Sequence, residues 1–331
     1  MPTSAILGTG RAVPERVVTN HELATLMDTS DEWIRTRTGI ERRHWITPGE
    51  TGVALAVTAS RQALEMAGIE PSELDAIVYS SSTPDQFLPG NGVLLQDRLG
   101  AGTIPAIDLR MQCAGFIYGL SVADNFIRLG TYRRILVVGQ EIQSTRMDVS
   151  DRGRNTAVIF ADGAGAAVLS ATDDPGRGIL AVDLGSDGAH AESLWVPEPG
   201  AIHSPMIDAG RYAQGRYFLH MDGKEVFRHA VERMPASVRS CLDRVSLTPA
   251  RIDLLIPHQA NARITDAVQR SLGLRDDQVY GNIARYGNTT SASIPIALDE
   301  CVRAERVKPG ALVAFTAFGS GFVWGSVLLR W

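Results

Sequence analysis

Apolar positions along the chain fall into two alternating patterns: short β-rich blocks, and longer stretches at helical spacing. The blocks DAIVYSS (75–81), RRILVVG (133–139), AAVLS (166–170), IDLLIP (252–257), ALVAFTA (311–317) and GSVLLRW (325–331) predict strands, because aliphatic and β-branched residues cluster in each. Helices are predicted near 51–67, 91–99, 113–129, 223–244, 260–272 and 292–305. In the third of these, Phe116, Ile117, Leu120, Ala123, Phe126 and Ile127 recur on one face behind Cys113. Strand alternating with helix is the pattern of an α/β protein. Gly176, Arg177 and Gly178, following Asp173, Asp174 and Pro175, mark a turn-rich joint that divides the chain into halves 1–174 and 178–331.

Those halves resemble each other. Displacing the chain by 178 positions sets Pro71 on Pro249, Leu74 on Ile252, Asp75 on Asp253 and Ile77-Val78 on Leu255-Ile256. The same displacement sets Leu64 on Leu242, Leu120 on Leu298 and Cys113 on Ser291. One shift held this far predicts a duplicated unit, with a site where loops of the two copies meet.

Composition narrows the class. The 331 residues are 44% hydrophobic and 21% charged, as in ordinary globular proteins. Thirty-seven acidic residues against 32 basic ones, a net charge of −5, argue against nucleic acid as the main partner. The start MPTSAILGTG has no signal-peptide pattern, and no run approaches the roughly 20 apolar residues of a membrane span. The expectation is a cytoplasmic protein with no membrane partner. Cys113, Cys241 and Cys301 lie far apart without metal-ligand spacing, so no metal is expected; the last two read as free core thiols.

Cys113 differs by opening its helix. Unpaired N–H groups and the helix dipole there predict a stabilised thiolate, the nucleophilic form. Downstream stand His258 and Asn261 in IPHQANARI and Asn288 in RYGNTTSASIP. Singly, such residues are more often an inert thiol, a structural histidine and a turn asparagine. Their placement at the ends of repeated elements, with Cys113 in one half and the others in the second, groups them as a nucleophilic site. GTGRAVP (8–14) and DGAGA (162–166) lack what dinucleotide or phosphate loops require and read as tight turns and close strand approach.

The ordered motifs DTSDEWIRTRTGIERR (28–43), CAGFIYGLSVAD (113–124), DRG with FADGAGAAVL (151–169), HQANARI (258–264), GNTTSAS (287–293) and AFGSGFVWG (317–325) resemble the β-ketoacyl-acyl-carrier-protein synthase III family over the whole chain. The resemblance implies a thiolase-like five-layered αβαβα fold, a homodimer and no cofactor beyond CoA thioester substrates. It implies that Cys113 takes an acyl group from acyl-CoA and condenses it with malonyl-acyl-carrier protein after decarboxylation, initiating fatty acid synthesis. His258 and Asn288 would stabilise the decarboxylation, and the backbone N–H groups of Cys113 and Ser320 would form the oxyanion hole. Trp33, Arg37, Arg152 and Asn261 would hold CoA, and Arg228, Arg263 and Arg270 would receive the carrier protein.

Departures from the family pattern concern the primer. Met111 and Gln112 precede Cys113 where small residues are usual. The loop PDQFLPG (84–90), which the resemblance places at the acyl pocket of the partner subunit, carries Phe87 one place out of register, leaving Leu88 at the pocket position, and 195–220 is long. These features predict a primer longer or bulkier than acetyl, or a specialised pathway. The rivals are a secondary-metabolism condensing enzyme or acyltransferase, and a non-catalytic acyl- or carrier-protein-binding subunit. Intact Cys113, His258 and Asn288 argue against the last.

Overall fold

The computed structural model describes residues 3–331. Its main strands are β1 (Thr3–Ala12), β2 (Ala76–Ser80), β3 (Ala106–Leu109), β4 (Arg134–Glu141), β5 (Gly163–Thr172), β6 (Gly178–Ser186), β7 (Leu254–Pro257), β8 (Leu312–Gly319) and β9 (Val323–Arg330). Its main helices are α1 (Asp31–Thr38), α2 (Gly52–Ala67), α3 (Asn91–Leu99), α4 (Gly115–Arg128), α5 (Gly223–Asp243), α6 (Ala262–Leu272) and α7 (Ser293–Arg303). Each helix and strand expected from periodicity is present within a few residues of its expected bounds.

One sheet runs β1-β5-β4-β2-β3 and the other β7-β8-β9-β6. In both, the neighbours of the central strand repeat: β4 pairs parallel with β2 and antiparallel with β5, as β8 pairs parallel with β7 and antiparallel with β9. The offset of 178 is kept in detail. Ala76, Gln112, Gly115 and Arg134 begin β2, a 3₁₀ turn, α4 and β4, while Leu254, Thr290, Ser293 and Leu312 begin their counterparts.

Helices α2 and α3 cover the outer face of the first sheet, α4 and α7 fill the space between the sheets, and α5 covers the second sheet with α6 beside it. Three apolar clusters follow from this layering. Phe116, Ile117, Leu120, Ile256, Leu298 and Phe315 pack in the middle. Leu55, Ile77 and Leu95 lie under α2 and α3, and Val238, Leu255 and Val268 under α5 and α6. Between the sheets α4 buries Phe116, Ile117, Leu120, Ala123 and Ile127, and its polar residues Asp124, Asn125 and Arg128 gather at its C-terminal end.

Strands β1, β3 and β6 lay outside the periodicity expectations. Gly8 and Gly10 sit inside β1 and not in tight turns. An added Cβ would stand 2.1 Å from the Ala63 carbonyl oxygen and 2.0 Å from that of Ala59, so these glycines let α2 lie against the strand. Gly163 and Gly165 of DGAGA likewise belong to β5, where α7 approaches.

Candidate active site

Cys113 occupies the 3₁₀ turn Gln112–Ala114 ahead of α4. Gln112 holds φ at +43° and its repeat counterpart Thr290 at +48°, a region that side-chain-bearing residues enter at a cost and mostly at functional sites. The two turns pack against each other. From the other side comes the end of β8: a Cβ on Gly319 would fall 2.8 Å from Cys113 Cβ and 3.2 Å from Sγ. Ser320 follows, its hydroxyl donated to the Leu194 carbonyl. Cys113, Thr290 and Ser320 line one cavity of about 510 Å³.

The thiol is not held as thiolate in the resting site. Burial, then the Glu141 charge, push it up to about 12. Taking a thiolate out of water outweighs the roughly 0.3–1 kcal/mol a helix terminus returns. Glu141 itself escaped the sequence reading, where its one signal is an acid closing an apolar strand. It is fully buried and accepts bonds from Ser82 Oγ and Thr83 Oγ1 at 2.8 Å, Ser291 Oγ at 3.1 Å and Gln143 Nε2 at 3.2 Å. Burial raises its pKa above the usual carboxylate value.

His258 follows β7, its backbone N–H donating to Thr316 O at 2.8 Å. The ring is 1% exposed. Nδ1 lies 2.7 Å from Ser293 Oγ, and that oxygen already accepts from the Gln259 N–H. With the serine proton donated to Nδ1, the ring proton resides on Nε2. Nε2 is buried without a protein partner, a vacancy that buried donors rarely leave. Asn288 sits after Gly287 (φ +66°); its Oδ1 accepts from the Thr290 N–H at 2.8 Å, which makes Nδ2 a donor on the opposite side. Cys113 thus meets the 290–292 turn, while Asn288 and His258 are tied to Thr290 and Ser293 at its two ends.

Burial lowers His258 to about 3, so the ring stays neutral while the unfolded chain's histidine protonates below about pH 6.5. The unfolded state then binds more protons, and stability falls with acidification by up to about 1.4 kcal/mol per pH unit between about pH 6.5 and 3. Urea unfolding at pH 6.5 and pH 5 is expected to show a smaller loss for His258→Ala than for the wild type; equal losses would remove this assignment.

Trp33, in α1 behind the Ser30 cap, has two guanidinium groups close to its ring: Arg37 at 4.7 Å and Arg154 at 5.3 Å from the ring centre. Arg152, expected there, is drawn elsewhere. It pairs with Asp148 four residues earlier, donates to Ala213 O at 2.9 Å and stands 5.7 Å from the Phe218 ring. The long 195–220 segment supplies both the carbonyl and the ring, and Arg154, tied to Asp28 O at 2.7 Å and Oδ2 at 3.0 Å, is the arginine of this turn that stands by Trp33.

Family models for 3-oxoacyl-[acyl-carrier-protein (ACP)] synthase III and for its C-terminal part match residues 107–188 and 242–331. The beta-ketoacyl-[acyl-carrier-protein] synthase III of Symbiobacterium thermophilum is 45% identical over 326 residues, 98% of this chain and 97% of its own. That of Dinoroseobacter shibae is 45% identical over 332 residues, 99% of each chain. The chain belongs to the 3-oxoacyl-[acyl-carrier-protein] synthase III family. Among solved synthase III structures, that from Aquifex aeolicus VF5 superposes with a TM-score of 0.91 at 39% identity, covering 99% of this chain and 100% of its own. The priming beta-ketosynthase of the R1128 polyketide pathway does so with 0.91 at 38% identity, covering 99% and 96%. The thiolase-like five-layered αβαβα architecture is therefore this chain's fold.

Asn261 caps α6, Oδ1 accepting from Arg263 N at 2.9 Å and Nδ2 donating to Arg37 O at 3.0 Å. Its Oδ1 thus caps α6 while its Nδ2 ties that helix to the end of α1. Arg263 and Arg270 are exposed on α6, with Arg263 5.9 Å from the Phe227 ring of α5. Arg228 next to that ring is tied to Glu225 and stands 2.9 Å from His229 Nε2. His190, Glu225 and His229 bring their ligand atoms within 4.8 Å, with the Arg228 charge already between two of them. Phe87 lines its own chain's cavity, while Leu88, expected at the acyl pocket of a second subunit, is 78% exposed on the same loop. The 195–220 segment forms the cavity's far wall through Val196, Glu198, Met206 and Ile207, anchored where buried Glu198 meets Arg211 and Arg216 at 2.5 and 2.6 Å.

Proposed function

We propose that this protein catalyses the priming condensation of fatty acid synthesis, with Cys113 as acyl carrier. The resting thiol ionises as the acyl-CoA thioester arrives; the Sγ–carbonyl bond forms, the bond to the CoA sulfur breaks, and the thiol proton leaves with CoA. Malonyl-acyl-carrier protein then loses carbon dioxide, and its carbanion displaces Cys113 from the acyl group to give a β-ketoacyl product. The single observation that carries this reading is the unpartnered buried Nε2 of His258. Beside the Asn288 amide, it supplies two neutral donors for the charge that decarboxylation builds on the malonyl thioester oxygen. The backbone N–H groups of Cys113 and Ser320 serve the other oxyanion, and Trp33, Arg37 and Arg154 hold the CoA end by stacking and charge. CoA enters as a substrate, and the reaction needs no separate cofactor or metal.

A second copy of the chain completes the assembly in this reading. Strand β3 is an open sheet edge, which proteins ordinarily cover, and Phe87 and Leu88 are exposed beside the cavity. Similarity to the R1128 priming ketosynthase favours a second reading, the same two-stage chemistry in a specialised pathway. Incubation with acyl-CoA and malonyl-acyl-carrier protein tests both, by intact-protein mass for the acyl-enzyme and by product analysis for the condensation. A non-catalytic subunit forms neither.

Carrier-protein docking is assigned to Arg263 and Arg270 on α6, with Arg228 contributing less because Glu225 already neutralises it. Arg263→Glu is expected to raise the KM for malonyl-acyl-carrier protein several-fold while sparing priming by acyl-CoA. The wild type's advantage should shrink with added salt, since exposed charges are screened over about 8 Å at physiological ionic strength. Equal damage to both substrates would refute the docking role.

A further inference from the structure

The charged groups around the cavity do not balance in the way an apolar acyl pocket requires. Its carboxylates are all engaged. Asp85 accepts from the backbone N–H groups of Gly52 and Val53 at 2.7 and 3.0 Å, Glu198 is held between Arg211 and Arg216, and Glu141, behind the wall, is enclosed by hydroxyls and Gln143. Two guanidinium groups on the lining, Arg110 and Arg146, are not. Among the described residues neither forms an ion pair within 4 Å. Arg146 makes one side-chain bond, Nη1 to Ser82 O at 3.2 Å, leaving most of its five N–H donors unused. Arg110 lies three positions before the nucleophile, and Gln112 and Gln143 add neutral polar groups to the same wall.

Resting on the reading that Cys113 is primed by acyl-CoA, we propose that the preferred acyl group ends in a carboxylate, received in this cavity by Arg146 with Arg110. A planar guanidinium with free donors matches a carboxylate in a paired geometry. A methyl-terminated chain would leave the half-buried Arg146 without a carboxylate partner, while Arg110 stands exposed on the same wall. Burial lowers Arg146 below the usual guanidinium value, with the Glu141 charge opposing this and Arg110 adding to it. The malonyl carboxylate is a poorer occupant. An arginine binding it would stabilise the ground state of the group that must leave as carbon dioxide, and so slow the step. The CoA phosphates belong with Trp33, Arg37 and Arg154, none of which lines this cavity. The covalent step is unchanged: Cys113 Sγ replaces the CoA sulfur on the proximal carbonyl, and the distal carboxylate stays intact.

The test uses full-length protein without malonyl-acyl-carrier protein and follows acylation of Cys113 by intact mass. Primers are compared in pairs of equal chain length, butyryl- with succinyl-CoA and valeryl- with glutaryl-CoA. The wild type should favour the carboxylated member of at least one pair. Arg146→Gln should erase that preference, lowering acylation by the carboxylated primer about 10²-fold while leaving the methyl-terminated one unchanged or faster. Arg146→Lys should recover part of it, and Arg110→Gln should show a smaller loss. Equal wild-type rates within both pairs, or a uniform loss for both members in Arg146→Gln, would overturn the proposal. If no acyl-CoA modifies Cys113, the priming reading fails with it, a result distinct from either.

Discussion

Cys113→Ala carries no acyl group after exposure to any acyl-CoA, and overall turnover drops to background. Loss of a covalent nucleophile can cost on the order of 10⁶ in rate. Thiol acidity does not single out Cys113, since Cys113, Cys241 and Cys301 are each pushed up to about 12, burial being the first cause. Access does. Cys113 lines the cavity, whereas Cys241 is 1% and Cys301 0% exposed within the apolar clusters of the two helix layers. Peptide mapping of acylated wild type should place the whole adduct on the tryptic fragment containing Cys113. An adduct persisting in the alanine variant would displace the nucleophile assignment.

Removing His258 or Asn288 separates the two half-reactions. Each of His258→Ala and Asn288→Ala should retain acylation at Cys113 within a few-fold and lose condensation by about 10²–10³-fold, the usual effect of deleting one oxyanion donor. The losses should not multiply in the double variant, because residues acting as a unit are not additive. His258→Gln, which keeps a neutral donor, should recover more than the alanine variant. Since burial holds His258 at about 3, the condensation rate should show no break near pH 6.5 arising from this ring. Normal condensation in either alanine variant, or parallel loss of acylation, would mean that these groups do not act on the decarboxylation.

The variants differ in how far their roles could be read from the chain. Local spacing sufficed for the layers: residues such as Phe116, Ile117 and Leu120 dictate helix α4 through neighbours three and four positions away. The 178-residue repeat was visible for the same reason, because each half has to bury equivalent faces. It also placed Cys113 opposite Ser291, and the structure adds that the turns carrying them share the same unusual φ. Placement at the ends of repeated elements grouped His258 and Asn288 with Cys113, and the motif resemblance supplied their role.

What local pattern could not decide were matters of distant neighbours and of solvent. Gly8 and Gly10 read as tight turns and close approach, but that it is α2, some fifty residues on, that approaches a strand is decided by the fold. Arg152 and Arg154 are indistinguishable in DRGR; Asp148 and the carbonyl of Ala213 draw the first away and leave the second over Trp33. The helix start at Cys113 promised a thiolate, but burial depends on the whole enclosure, and desolvation with Glu141 reverses the sign. Arg110 and Arg146 look in sequence like surface charges, and that they face a cavity without a carboxylate partner is known only when every nearby acid has been traced to its own partners. Periodicity is set by bonds along the chain and is legible there; charge state and pairing are set by what the fold brings within a few ångströms and what it keeps from water.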